Sequence, residues 1–241
     1  MKFRPHDIPV FVADTEKFAT GIVDLGLVDY IEAYNLQQRL AERRKNGLLT
    51  EDLFLVTEHP SVFTLGRRGG RENLVVSEQF LRDKNVQIVQ IERGGDITYH
   101  GPGQLVIYPI IYLKKAGLSV TEYVNLLEEI MIGLAAQYGV EAARDPRNHG
   151  VWVRDKKLGS VGIAIRHGVS FHGLALNVNL MLEPFSWVNP CGLVGVKMTT
   201  LSNECRQEIT LPAVKKDLNR LLTKVFGREF VTLEPHSIKV E

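Results

Sequence analysis

The thirty residues from Gly150 to Asn179, GVWVRDKKLGSVGIAIRHGVSFHGLALNVN, constrain the fold of this chain more than any other stretch. Short runs rich in β-branched and apolar residues follow one another, interrupted by RDKK and RHG, whose composition suits hairpin turns. Upstream, DLFLVTEH, SVFTLG, VQIVQIER and GQLVIYPIIYL read as further short strands broken by Gly and Pro. Strands clustered in adjacent runs, without regular strand–helix–strand alternation, predict an α+β domain and not a doubly wound one.

Three helices accompany these strands. The first is expected from about Val28 to Lys45, where Val28, Ile31, Leu36 and Leu40 form an apolar stripe before Gly47. The second opens at SVTE, with Ser119 capping and Glu122 reaching back, and its stripe of Val124, Leu127, Ile130, Met131 and Leu134 ends at Gly139. The third begins near Pro212 and carries Val214, Leu218, Leu221, Leu222 and Val225 to Gly227. No repeat, low-complexity tract or linker divides the sequence, so residues 1–241 are expected to form a single domain.

A formal net charge of +1 gives no overall drive toward nucleic acid or an anionic membrane, and neither is expected as a partner. The first residues, MKFRPHDIPVFVADTEKF, lack a long apolar run and carry Asp7, Asp14 and Glu16, which argues against a signal or transit peptide. No later stretch approaches the roughly 20 apolar residues of a membrane-spanning helix. Cys191 and Cys205 sit outside any C-x-x-C pair, so a reducing cytoplasm is the expected setting. The histidines form neither H-E-x-x-H nor H-x-x-x-H, and no metal site is expected.

RGGDITYHGPGQ, Arg93 to Gln104, lies between two apolar strands. Gly94 and Gly95 let backbone approach a ligand, Gly101-Pro102-Gly103 fixes a tight turn, and Arg93 and His100 supply polar groups; a glycine-rich hairpin without a ligand fits the spacing equally well. It is not the G-x-x-x-x-G-K-[ST] pattern, and no helix follows its glycines, which speaks against phosphate cradling. LGRRGGR and ERRKNG are local basic clusters, either solvated faces or surfaces that steer an acidic partner.

RGGDITYHGPGQ, KLGSVGIAIRHGVSFHGLALNVN, VNPCGL and EHPSVFTLGRRG together resemble the lipoyl(octanoyl) transferase family, in order from Glu58 to Leu193. The resemblance implies the α+β fold of biotin and lipoate protein ligases, with mixed β-sheets flanked by helices. It also implies transfer of octanoyl from octanoyl-acyl carrier protein to a lysine of lipoyl domains, such as those of 2-oxoacid dehydrogenases and glycine cleavage H protein, without a cofactor. Carried over by position, Cys191 is the acyl-thioester nucleophile and Lys157 the residue that lowers its pKa. Arg93, Gly94, Gly95, Asp96, Ile97, Thr98, Tyr99 and His100 line the substrate site, with Ser160, Val161, Gly162, Gly173, Leu174 and Ala175. His172 is left undecided between a structural and a site role. Gly159 is smaller than the family pattern suggests, which would alter the depth of an acyl pocket.

The chemistry is coherent with these residue types. A free thiol has a pKa of about 8.5, and an ammonium beside Cys191 favours the attacking thiolate. Lys157 would protonate the departing thiol and then, as a neutral amine, take a proton from the acceptor lysine. Val161, Leu174 and Leu176 are the expected walls of the acyl tunnel. Three rivals stand beside this reading: an ATP-dependent ligase on the same scaffold, which needs no catalytic cysteine, a non-catalytic carrier-protein-binding module, and a thioesterase.

Overall fold

The structure, a computed structural model, describes residues 20–189 and 195–238. β1 (Thr20–Leu27), α1 (Tyr30–Lys45) and β2 (Leu53–Glu58) open it, followed by β3 (Val62–Leu65), α2 (Glu78–Asp83), β4 (Gln87–Gln90) and β5 (Ile97–His100). Next come β6 (Gln104–Ile110), α3 (Val120–Gln137), β7 (Ala143–Arg144), β8 (Gly150–Val153), β9 (Lys156–Arg166) and β10 (Val169–Asn177). β11 (Lys197–Met198), α4 (Leu201–Cys205), α5 (Leu211–Lys216), α6 (Leu218–Phe226) and β12 (Phe230–Thr232) complete the described elements.

The large sheet runs β12-β1-β2-β6-β10-β9-β8-β7, with β11 added beside β9; the small one runs β4-β3-β5. Both are mixed: β1 pairs in parallel with β2 and β12, and β3 with β4, while β6, β8, β9 and β10 form antiparallel ladders. The β9–β10 turn is His167-Gly168, with φ of 51° and 83°, the two positive angles a type I′ hairpin demands. β1–α1–β2 and β3–α2–β4 are strand–helix–strand crossovers, two exceptions to the expected clustering of strands.

Along β6 the side chains alternate, as a strand requires. Val106 and Tyr108 face α1, packing with Ala33, Leu40, Ala41, Phe171 and Ala175. Leu105 and Ile107 face the other way, into a core with Leu127, Ile130, Met131 and Leu134 of α3 and Leu218 and Leu222 of α6. α3 is capped as expected: Ser119 and Glu122 form the reciprocal box, and Gly139 takes φ of 71°. α1 starts at Asp29, whose carboxylate accepts from the Ile31 and Glu32 N–H groups. The third expected helix is two helices, broken at Asp217, and the leucines on either side of the break turn into the α3 core. Among the described residues no helix is long and apolar enough to cross a membrane.

The basic run at the end of α1 is divided: Arg43 and Lys45 are exposed, whereas Arg44 turns into the fold. Arg44 is buried, and its Nε and Nη2 each approach Asp52 Oδ1 at 2.9 Å. Asp52 also accepts from the Tyr112 N–H at 3.1 Å and from Arg228 Nη1 at 2.8 Å. Both side chains of the Arg44–Asp52 pair are only 5% exposed. Removing one partner of such a pair strands the other charge away from water. Asp52→Ala is therefore expected to lower the unfolding free energy by about 3–5 kcal/mol, read as a shift of the urea midpoint.

Candidate active site

β5 sends its side chains alternately to the two faces of the small sheet. Ile97 and Tyr99 turn into the core behind it, with Phe63, Leu81 and Phe185, and Tyr99 meets Ser61 Oγ at 2.9 Å. Thr98 and His100 turn the other way, toward the large sheet, and between the two sheets lies a cleft of about 510 Å³, partly open to solvent. Arg93, Gly94, Gly95 and Asp96 continue its small-sheet wall. The large sheet supplies Val106, Tyr108, Ser160, Val161, Gly162, Gly173, Leu174 and Ala175, and Tyr30, Asn148 and His172 complete the lining.

The Arg93–Asp96 loop is stitched down on several sides. The Arg93 guanidinium is buried and donates to Thr64 Oγ1 at 2.8 Å, to the Thr64 carbonyl at 2.6 Å and to the Gly94 carbonyl at 3.1 Å. Gly94 N–H donates to the Ile163 carbonyl at 2.8 Å, which ties the loop to β9 beyond the end of β8. Gly66 passes close behind: a Cβ there would lie 2.5 Å from the Gly95 oxygen and 2.8 Å from the Arg93 oxygen, so only glycine fits. Asp96 accepts from its neighbour's N–H, Ile97, at 2.6 Å and from Asn73 Nδ2 at 2.9 Å, so its carboxylate serves the turn.

Lys157 stands at the edge of this cleft. The β8–β9 register sets Val151 opposite Gly159 and Trp152 opposite Lys157, leaving Leu158 as an extra, bulged residue. The residue is only 1% exposed. Its Nζ donates to Asn148 Oδ1 at 2.9 Å and lies 5.5 Å from the centre of the Trp152 ring. Lys156 projects the opposite way, to Glu204 Oε1 at 3.3 Å. Of the adjacent lysines, then, it is Lys157 that turns inward. Cys191 lies outside the described residues.

A line of buried polar groups links this lysine's strand to the small sheet. His100 Nδ1 meets Gln104 Oε1 at 2.7 Å, Gln104 Nε2 donates to Asn177 Oδ1 at 2.9 Å, and Asn177 Nδ2 donates to the Thr199 carbonyl at 3.0 Å. The Thr199 N–H in turn donates to the Lys157 carbonyl at 2.9 Å. An amide oxygen only accepts, so His100 carries its proton on Nδ1. Burial, and after it the neighbouring His59, pushes the His100 pKa down to about 3, leaving a neutral ring at physiological pH. His59 is likewise occupied, by the Val28 carbonyl at Nδ1 and the Tyr108 hydroxyl at Nε2, both at 2.8 Å. Cys205 is a free thiol that donates to the Tyr138 carbonyl at 3.5 Å, and burial, then Glu204, raises its pKa. It stays protonated near neutral pH.

The cleft thus gathers the sequence-derived substrate residues from two of the quoted motifs, except Ile97 and Tyr99, which β5 carries to its far face. Two other expectations are corrected. Leu176 belongs to the core beneath α3 and does not wall the cleft. Gly159 also faces α3: a Cβ there would lie 2.5 Å from Met131 Sδ, so its size governs helix packing and not cleft depth. Sequence reasoning passed over Tyr30, Val106, Tyr108 and Asn148. Val106 and Tyr108 follow from strand alternation once one face of β6 is assigned, whereas nothing in the spacing marks Asn148. Among the described residues no group of His, Cys, Asp and Glu could hold a metal ion.

A family model, lipoyl protein ligase A/B catalytic domain, matches residues 29–223. An octanoyltransferase of Desulfotalea psychrophila is 54% identical over 220 residues, covering 90% of this chain and 99% of that protein. An octanoyltransferase of Bacteroides thetaiotaomicron is 40% identical over 85% of this chain and 96% of its own length. Among solved structures, a lipoate-protein ligase A bound with ATP superposes with a TM-score of 0.70 at 12% identity, covering 92% of each chain. A bi-partite lipoate protein ligase of Thermoplasma acidophilum gives 0.69 at 15% identity over 92% of this chain and 90% of that one. A biotin protein ligase of Aquifex aeolicus gives 0.52 at 13% identity over 86% and 70%. These distant structures share the fold; the family model and the near relatives carry more, and the chain belongs to the lipoyl protein ligase A/B catalytic-domain family.

Proposed function

We propose that this protein transfers an octanoyl group from octanoyl-acyl carrier protein to a specific lysine of a lipoyl domain, through an octanoyl thioester on Cys191. The observation that carries the reading is Lys157, a lysine withdrawn from solvent whose Nζ reaches Asn148 on the lining of the cleft. An amine is costly to bury and persists where it has partners and work to do. The octanoyltransferase relatives supply the acyl group and the reaction type.

The Cys191 thiolate attacks the donor thioester carbonyl, and collapse of the tetrahedral adduct breaks the bond to the phosphopantetheine sulfur, which takes a proton from Lys157. The acceptor lysine's neutral amine then attacks the octanoyl-Cys191 carbonyl. The carbon–sulfur bond breaks, the amide forms, and the proton lost by the amine returns to Lys157 as Cys191 leaves as thiolate. Val106 and Ala175, with the Tyr108 ring, give the acyl tail apolar walls. Each methylene they take from water contributes about 0.8 kcal/mol.

Arg67 and Arg68 leave β3 as exposed side chains, while their N–H groups donate to the Arg93 carbonyl at 2.9 Å and the Gly95 carbonyl at 3.2 Å. They therefore stand over the loop that walls the cleft, where cations attract an acidic carrier protein. Arg71, also exposed, contacts Glu78.

Intact-mass analysis after mixing with octanoyl-acyl carrier protein tests the whole reading. An octanoyl adduct mapped to Cys191, followed by ATP-independent transfer to an apo-lipoyl domain, is expected; transfer that needs ATP and survives Cys191→Ser overturns it. Lys157→Met is expected to slow acyl-Cys191 formation at pH 7 by about 10²–10⁴-fold, and an unchanged rate removes Lys157 from the mechanism. Replacing Arg67, Arg68 and Arg71 together by Ala is expected to lower the carrier-protein association rate by about tenfold or more at low salt. That difference fades as salt shortens the reach of the charges.

A further inference from the structure

One histidine on the cleft lining, His172, takes a strained conformation. The β6–β10 register sets Leu174 opposite Ile107, which brings His172 opposite Pro109. Proline has no N–H to give, and the ladder is interrupted there. The His172 N–H has also left the ladder and donates to Gln37 Oε1 at 2.8 Å, and the residue takes φ of 57°, in the left-handed region that side chains avoid. In a regular strand neighbouring side chains point to opposite faces, yet the rings of Phe171 and His172 lie 5.0 Å apart. The left-handed residue has turned the imidazole onto the α1 side of the sheet.

There His172 stacks on Tyr34 with ring centres 5.6 Å apart and 13° between planes, and meets Tyr108 edge-on at 6.4 Å. It lines the cleft while being only 1% exposed. Neither ring nitrogen has a hydrogen-bond partner among the described residues, and Nε2 stops 3.7 Å from Glu92 Oε2. Tyr34 is pinned from behind, its hydroxyl donating to Glu92 at 2.5 Å while Arg166 holds the other carboxylate oxygen at 2.9 Å. The proton transfers do not call on this ring. Its partner on β9 is Ile163, six residues along the strand from Lys157.

We infer that His172, backed by Tyr34, is the end wall that sets the length of acyl chain the cleft accepts. The inference rests on the octanoyl-transfer reading, and the dimensions agree with it. Ser160 pairs with Ala175 and Ile163 with His172, three residue steps apart. At about 3.3 Å per residue the floor between them is ~10 Å long. An extended octanoyl chain, a zigzag of seven carbon–carbon bonds of about 1.5 Å, spans ~9 Å. With its carbonyl beside Asn148 and Ser160, where the Lys157 amine reaches the lining, the chain ends at the imidazole. Two more methylenes would run into it.

His172→Gly tests this directly, because glycine adopts the observed φ without strain and removes the ring. The full-length variant and the parent are assayed with octanoyl-, decanoyl- and dodecanoyl-acyl carrier protein, reading kcat/KM for transfer to an apo-lipoyl domain. The decanoyl-to-octanoyl ratio is expected to rise about tenfold or more, with a smaller rise in the same direction for His172→Ala. Unchanged length profiles in a folded variant, beside a parent that transfers octanoyl, overturn the end wall alone. A parent that transfers no acyl chain overturns the transfer reaction and the end wall with it.

Discussion

The buried hydrogen bonds from His100 through Gln104 and Asn177 to Thr199 and the Lys157 carbonyl hold the two sheets at a fixed separation. Each link is a polar group that loses about 1–3 kcal/mol if left unpaired away from water. The bonds that cross between the sheets are His100 to Gln104, Gln104 Nε2 to the Tyr99 carbonyl and Gly94 N–H to the Ile163 carbonyl, and sliding one sheet over the other would break them together. That is what makes the space between the sheets a shaped cleft. The neutrality of His100 belongs to the same constraint: a charged imidazole would need a counter-ion that this wall does not offer, and burial keeps the ring uncharged.

Much of this architecture is written in local chemistry. The RHG turn, the Ser119–Glu122 box and the leftward twist of Gly139 are decided by residues within a few positions of each other, and they appear where the pattern puts them. Alternation also says that only one of Lys156 and Lys157 turns inward, but the choice of Lys157 comes from the family resemblance and not from the strand pattern. What could not be read depends on residues far apart in sequence. Whether Ile97 and Tyr99 or Thr98 and His100 face the ligand is set by which side of β5 the large sheet covers. Gly159 matters to Met131 because α3 crosses that point of β9. The break at Asp217 lets Val214 and Leu218 both reach the α3 core, which an unbroken stripe did not reveal.

The two arginine-rich clusters show why a charge run is ambiguous until its surroundings are known. Arg44 is neutralised inside the fold by Asp52, eight residues later, and contributes to holding α1 against the sheet. Arg67 and Arg68 spend only their backbone on the fold, donating N–H groups to the cleft loop while their side chains stay in water. Similar composition yields an internal tie in one case and a surface field in the other. A nearby carboxylate within reach of the core is what separates them.

The cleft has two unlike ends, and each follows from an irregularity in a strand. At one, the bulge at Leu158 sits where Lys157 reaches the lining through the side-chain amide of Asn148. At the other, the missing N–H of Pro109 frees His172 from the ladder, and the resulting left-handed residue swings a ring across the floor. A regular β10 would have sent that imidazole into the α3 core and left the cleft open at this end. Proline in an internal strand is otherwise a defect, since it removes a ladder bond. Here Gln37, a side chain from the helix above, accepts the His172 N–H that has left the ladder, so the deviation is supported and not merely tolerated. On the proposed reading, reactive chemistry at one end and a rigid stop at the other are what the site needs in order to act on a flexible chain that has no polar features along its length. Hydrogen bonds cannot read such a chain, and only the distance between the two ends can.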